Sequence, residues 1–220
     1  MKNILLDAGF PLEFSDDALE EAARIPDVIS EEEIRVRRDF RDTFTITIDP
    51  VDARDFDDAL SIRPLEKDWF EVGVHIADVS HYLEAGTSLD EDAYERATSV
   101  YLPDRVLPML PEHISNVLCS LRPKEDKLTF SAVFQIHAET AEIRKTWLGK
   151  TVIHSDHRFT YEEVQDIIEK KEGLFLSEVM SLNRMARQLR AQRFANGAIN
   201  FSSQEVRFRL DASGAPLGIT

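Results

Sequence analysis

Between Thr43 and Ile48 the chain alternates Phe44, Ile46 and Ile48 with threonines, the period of a strand with one buried face. Pro50 ends it, because proline has no backbone N–H for a ladder. A second strand is predicted over about Ala59 to Ile62. The run "WFEVGVHIADVS" predicts a third in which Phe70, Val72, Val74 and Ile76 share a face, with "RPLEKD" as the polar turn between. Two more follow at about Leu128 to His137 and Ile143 to Ile153, joined by a short polar connection near Glu139 and Thr140. An alternating strand near Val206 to Leu210 leads into a turn at "DASG".

Helix signals fall between these runs. Ser15 can cap a helix through about Ile25, where Pro26 interrupts, and Ser30 to Glu33 has capping-box spacing. Ser88 to Glu91 repeats that spacing and starts a helix through Ala93, Tyr94 and Ala97. Thr160 answered by Glu163 opens another that closes at Gly173, and a longer helix runs to the "NG" at Asn196. Three prolines interrupt "YLPDRVLPMLPEHIS", which predicts an ordered extended loop and neither a helix nor a central strand. The fold class expected is α+β: a mixed, mostly antiparallel sheet with packed helices. Residues 1–42 read as a helical segment leading into a domain over 43–220. The tail "APLGIT" stops where the turn should deliver a partner strand, so the chain reads as part of something larger.

With 220 residues, 43% of them apolar and 30% charged, the composition is that of a folded chain with a sizeable core. No run approaches the roughly 18 apolar residues of a membrane helix, and "MKNILLDAGF" lacks a signal-peptide cleavage pattern. No membrane partner is expected. Cys119 is the single cysteine, which excludes an intramolecular disulfide and thiolate zinc spacing and suits a reducing, cytoplasmic setting. A net charge of −15 argues against long-range attraction to nucleic acid. The stretch holding Arg184, Arg187, Arg190, Arg193, Arg207 and Arg209 against Glu205 is locally basic, however. An acidic half and a basic stripe can serve one polyanionic substrate if metal ions bridge acids to phosphates. The helical arginines recur every third residue and spread over about half the circumference, so a solvated face explains them as well.

The densest acid lies in "TIDPVDARDFDDAL", which places Asp49, Asp52, Asp55, Asp57 and Asp58 directly after the first strand. A solvated loop could carry it. An EF-hand loop is excluded, since counting from Asp49 puts Arg54 and Leu60 where glycine and glutamate are needed. A magnesium site could be built from it, because crowded carboxylates repel unless a cation sits among them, and strand ends would hold Asp49 beside Asp57 and Asp58. His154 and His157 have zinc-like spacing but no partner ligands, and His75 and His81 at a strand end suit structural hydrogen bonding.

The stretch "TIDPVDARDFDDALS" resembles the signature of the RNB exoribonucleases, the ribonuclease II and ribonuclease R family. In the same order "VHIADVSHYLEAGTSLDEDAYERATSVYLP", "VLPMLPEHISNVLCSLRP", "FTYEEVQ" and "GAINFSSQEVRF" resemble further family motifs, with wording closer to ribonuclease R. The resemblance runs from about Arg41 to the end and implies the N-terminal part of an RNB catalytic domain. It implies hydrolysis of single-stranded RNA from its 3′ end to nucleoside 5′-monophosphates, with Mg2+ as cofactor and two ions in the complete site. It places the catalytic, metal-binding carboxylates on Asp49, Asp55, Asp57 and Asp58. Asp49 and Asp58 would be direct ligands, Asp57 would position water or a second ion, Asp55 would support them, and Asp52 would be a solvated bystander. It also implies RNA contacts at Tyr101, Tyr161 and Phe201, whose rings would pack near the terminal nucleotides. A non-catalytic RNA-binding scaffold and an acidic interaction module are the competing readings. The family's oligonucleotide-binding barrels and the later part of the domain, with a glutamate and a phosphate-clamping arginine, have no counterpart in these residues. Weak or absent activity of the isolated chain is therefore expected. Nothing in the sequence sets the oligomeric state.

Overall fold

Seven strands form one sheet in the computed structural model, which describes residues 5, 7, 9–103, 105–201, 208–211 and 216–219. They are β1 (Arg38–Asp39), β2 (Thr45–Asp49), β3 (Asp58–Pro64), β4 (Trp69–Ala77), β7 (Asp126–His137), β8 (Ile143–His154) and β9 (His157–Thr160), in the order β1-β8-β7-β4-β3-β2-β9. The inner pairs are antiparallel, while β1 lies parallel to β8 and β9 parallel to β2 at the two edges. The mixed, mostly antiparallel α+β architecture is thus present. Two compact units divide the chain, and neither is one continuous run: residues 26–81 with 116–198 hold the sheet, and residues 1–25, 82–115 and 199–220 make the other.

Helices α5 (Tyr161–Lys170) and α6 (Leu176–Ala195) cover one face of the sheet. Ile46, Phe159, Ile167 and Val179 form one buried cluster there, and Ile62, Ile136, Ala141 and Met185 form a second. Phe44 and Leu182 pack against both, so the two clusters are continuous. The Thr160 hydroxyl accepts from the Glu163 N–H while the Glu163 carboxylate accepts from the Thr160 N–H, the predicted capping box.

The opposite face is buried but polar. His75 is fully enclosed and hydrogen-bonded at 2.6 Å to Ser131 and 2.8 Å to Ser61, with Phe40 edge-on at 5.2 Å. Thr129, Ser131 and Thr151 continue the hydroxyl chain across β7 and β8. Gly73 is required here, since a Cβ at this position would stand 2.5 Å from both His75 Nε2 and Ser61 Oγ. Helix α2 (Glu31–Val36) is fastened to this face by Arg37, and the one-turn α3 (Val79–Tyr82) follows β4. The enclosed Arg37 guanidinium meets Glu33 and Asp78, each at 2.7 Å, and donates to the Thr129 carbonyl. At Asp78 the contact is a close charge pairing more than an aligned hydrogen bond.

In the other unit, α1 (Asp16–Arg24) and α4 (Ser88–Arg96) pack through small or apolar side chains, Ala18 and Ala22 against Leu89 and Ala93. The Leu89 N–H donates to Glu21 and the Ser15 N–H to Asp92, tying each helix start to its neighbour. A short hairpin joins β5 (Val100–Tyr101) to β6 (Val106–Leu107), and β10 (Phe208–Leu210) pairs with β11 (Pro216–Ile219).

Several expectations are corrected. Both faces of β2 are buried: Ile46 packs against the two helices on one side, and Thr45, Thr47 and Asp49 are enclosed on the other. Along β4 Phe70, Val72, Val74 and Ile76 do share a face, half-buried apart from the exposed Ile76, and the other face, with Glu71, Gly73 and His75, is the enclosed one. The cap of α4 is Thr87, one residue before the predicted Ser88, its hydroxyl accepting from Asp90. Around Ser30 only half the box forms, since the Glu33 carboxylate turns to Arg37. The proline-rich segment ends in a π-helix over His113–Leu118 instead of remaining extended. Residues 206–207 of the predicted strand and 212–214 of the predicted turn lie outside the described residues.

Candidate metal centre

Asp49 closes β2 and Asp58 opens β3, so the two strand ends fix both carboxylates and the intervening loop returns the chain within eight residues. That loop is anchored along its length. The Pro50 carbonyl accepts from the Ala53 N–H and from the Arg158 guanidinium. Phe56 donates its N–H to Ser120 Oγ at 3.1 Å, Ser120 donates to the Arg54 carbonyl, and the Phe56 carbonyl accepts from Leu121. The Asp57 carbonyl accepts from Ala77 at 2.9 Å. A surface loop of this composition would ordinarily be mobile, and these bonds hold its acids in place instead.

Asp49 is only 5% exposed, and its Oδ2 is buried without a hydrogen-bond partner. Burial holds its carboxyl above the usual carboxylate range, and the charges of Asp58 and Asp57 push the same way. The neighbouring Thr47 hydroxyl and Arg158 offset part of that rise, although Thr47 Oγ1 has no aligned hydrogen bond of its own. Lost solvation and then Asp57 raise Asp58 as well, even though Asp58 reaches the surface. Asp57 is exposed, Asp55 half-buried, and Asp52 exposed in the turn, as a solvated residue would be. Asp49, Asp57 and Asp58 therefore sense one another across the loop.

Among the described residues, no three histidine, cysteine, aspartate or glutamate side chains converge into a ready-made metal cage. The orphaned Asp49 oxygen and the two raised carboxylates fit a different kind of site. Magnesium keeps several waters and uses one or two protein carboxylates together with substrate phosphates, so a partial donor set is what it requires. Asp49 and Asp58 are the pair this structure offers.

The sheet brings the backbone of Tyr161 next to the end of β2. The parallel register sets Asp49 opposite Thr160, and Tyr161 is the next residue, at the start of α5 with its ring exposed. Tyr101 and Phe201 belong to the other unit and both expose their rings, Phe201 to 87%. Arg184, Arg187, Arg190 and Arg193 are exposed on α6, with Arg184 paired to Glu139. His154 pairs with Asp126 and His157 packs on Phe159, which leaves both in structural roles. Sequence reasoning missed Ser120 and Arg158. Ser120 sits in "NVLCSL" and Arg158 immediately before "FTYEEVQ", so both lay within reach of the quoted motifs.

The RNB domain pattern matches residues 37–220. The chain is 42% identical over 218 residues to a Schizosaccharomyces pombe protein named DIS3-like exonuclease 2, covering 92% of this chain and 24% of that protein. Mycoplasma genitalium RNase R superposes with a TM-score of 0.90 in its complex with double-stranded RNA, at 29% identity, over 99% of this chain and 39% of that one. In its complex with ribose-methylated single-stranded RNA the TM-score is 0.89, at 30% identity, over 100% of this chain and 35% of that one. Yeast Ssd1, described as a pseudonuclease, superposes at 0.68 with 26% identity over 76% of this chain and 21% of its own. The chain thus spans about a quarter of the length of the first relative. No helix among the described residues is long and apolar enough to cross a membrane.

Proposed function

This chain belongs to the RNB domain family, and from that premise we propose that it carries the carboxylates of a magnesium-dependent 3′-to-5′ exoribonuclease acting on single-stranded RNA. Likeness to RNase R and to a protein named an exonuclease supports the reaction class. The observation that carries the reading is the buried, unpartnered Asp49 oxygen beside Asp57 and Asp58. A buried carboxylate without a partner costs stability, and a cation bound there removes that cost.

Asp49 and Asp58 would hold the ion, Asp57 would position the attacking water or a second ion, and Asp55 would support them. When bound, Mg2+ supplies an activated water and charge neutralisation at the phosphate, with two ions in the complete site. Tyr161 lies one residue past the register partner of Asp49, where its exposed ring can meet the terminal sugar. Tyr101 and Phe201 offer further exposed rings, and stacking contributes roughly 1–3 kcal/mol per base without sequence preference. The products are nucleoside 5′-monophosphates, and the setting is cytoplasmic. The 220 residues by themselves hydrolyse RNA weakly or not at all in this reading, since they span a fraction of their relatives' length.

The competing reading is a non-catalytic RNA-binding scaffold, favoured by the likeness to the pseudonuclease Ssd1. Asp57→Asn in a polypeptide of the relatives' full length separates the two. Loss of hydrolysis with RNA binding retained is expected, and undiminished turnover in the variant refutes the catalytic reading.

A further inference from the structure

We propose that Arg158 is the positioning residue of the acidic loop, a side chain that ties both limbs of the loop to β9 so that Asp49 and Asp58 stay converged. The inference rests on the magnesium reading above for its consequence and on geometry for its substance. Arg158 lies in β9, opposite Thr47 in the parallel register, two residues before the partner of Asp49. Its guanidinium donates to the carbonyl of Pro50, the first residue after Asp49. Its Cζ lies 5.3 Å from the centre of the Phe56 ring, which precedes Asp57 and Asp58. One planar, permanently charged group therefore touches the outgoing and the returning limb, while its Nε is buried without a hydrogen-bond partner.

Two opposite effects on a bound cation follow, and their balance is testable. The positive charge of Arg158 repels a nearby metal ion, whereas its fork holds the ligand loop. The fork dominates, because it addresses the backbone and ring of the loop and leaves the carboxylate oxygen of Asp49 unbound. Residues that orient metal ligands from behind typically change affinity 10- to 100-fold when removed. Arg158→Met should thus weaken Mn2+ binding about tenfold despite the loss of a repelling charge. Lysine keeps the charge but has one ammonium in place of the broad guanidinium that reaches both the Pro50 carbonyl and the Phe56 ring, so Arg158→Lys should recover little.

The test is Mn2+ calorimetry on the chain and its variants, combined with amide hydrogen exchange. Faster exchange at Ala53 and Phe56 is expected in Arg158→Met and Arg158→Lys, with β4 and β7 as protected as in the parent. Phe56→Leu removes the ring and leaves the Pro50 bond, so it should show the same effect in weaker form and serves if Arg158→Met does not fold. Unchanged loop exchange overturns the proposal, as does tighter Mn2+ binding in Arg158→Met or full recovery by Arg158→Lys. If the parent chain takes up no Mn2+, the magnesium reading fails, and loop exchange alone then decides whether Arg158 positions the loop.

Discussion

Replacing Asp49 by asparagine should stabilise the chain without metal and destabilise it, relative to the parent, with metal. Asp49 Oδ2 is buried, has no hydrogen bond and stands among the charges of Asp57 and Asp58. Asparagine keeps the shape and removes the charge. A buried polar group left unpaired costs roughly 1–3 kcal/mol, more when charged, and an amide still bears part of that cost. The expected gain is about 1 kcal/mol, a rise of roughly 2–4 °C in melting temperature for a chain of this size. Magnesium at about 100 times its Kd should stabilise the parent by about 2.7 kcal/mol and the variant hardly at all. The order of melting temperatures should then invert, with the parent ahead by roughly 3–7 °C. Differential scanning calorimetry in EDTA and in magnesium measures both halves. A variant less stable than the parent in EDTA, or an equal response of the two to magnesium, would refute the reasoning.

Arg37→Met should cost about 3–5 kcal/mol in urea unfolding, because it leaves the enclosed carboxylate of Asp78 with the Ser80 hydroxyl and the more exposed Lys150 in place of its buried guanidinium; a loss under 1 kcal/mol would contradict this. His75 is held neutral by burial and by the charge of Arg38, its pKa lowered to about 4. The unfolded chain takes up that proton first as pH falls, so stability is complete above about pH 6.5 and declines down to about pH 4. Urea midpoints should record a loss of about 3 kcal/mol over that window, and His75→Gln should remove that component of the slope. Burial pushes the Cys119 thiol up to about 12, so a thiol reagent at neutral pH should label it only after unfolding.

Local patterns carried the elements. The alternation in Phe44–Ile48, the Thr160–Glu163 box and the strand-end placement of Asp49 and Asp58 are short-range facts, set by turn chemistry and side-chain period. Which face of β4 is enclosed is not a short-range fact. Period identifies which residues share a face, but enclosure of Glu71 and His75 depends on Arg38 and Phe40 reaching them from a distant stretch.

The sequence by itself determined that five aspartates crowd one strand connection and that two of them sit at strand ends. Only the tertiary structure decided which of them feel one another and what holds them. β9 joins β2 from more than a hundred residues away, bringing Arg158 to Pro50 and Tyr161 to the end of Asp49's strand. Ser120 reaches the loop from a separate segment. Pairing between such distant strands is set by the burial of whole faces, and no local period encodes it.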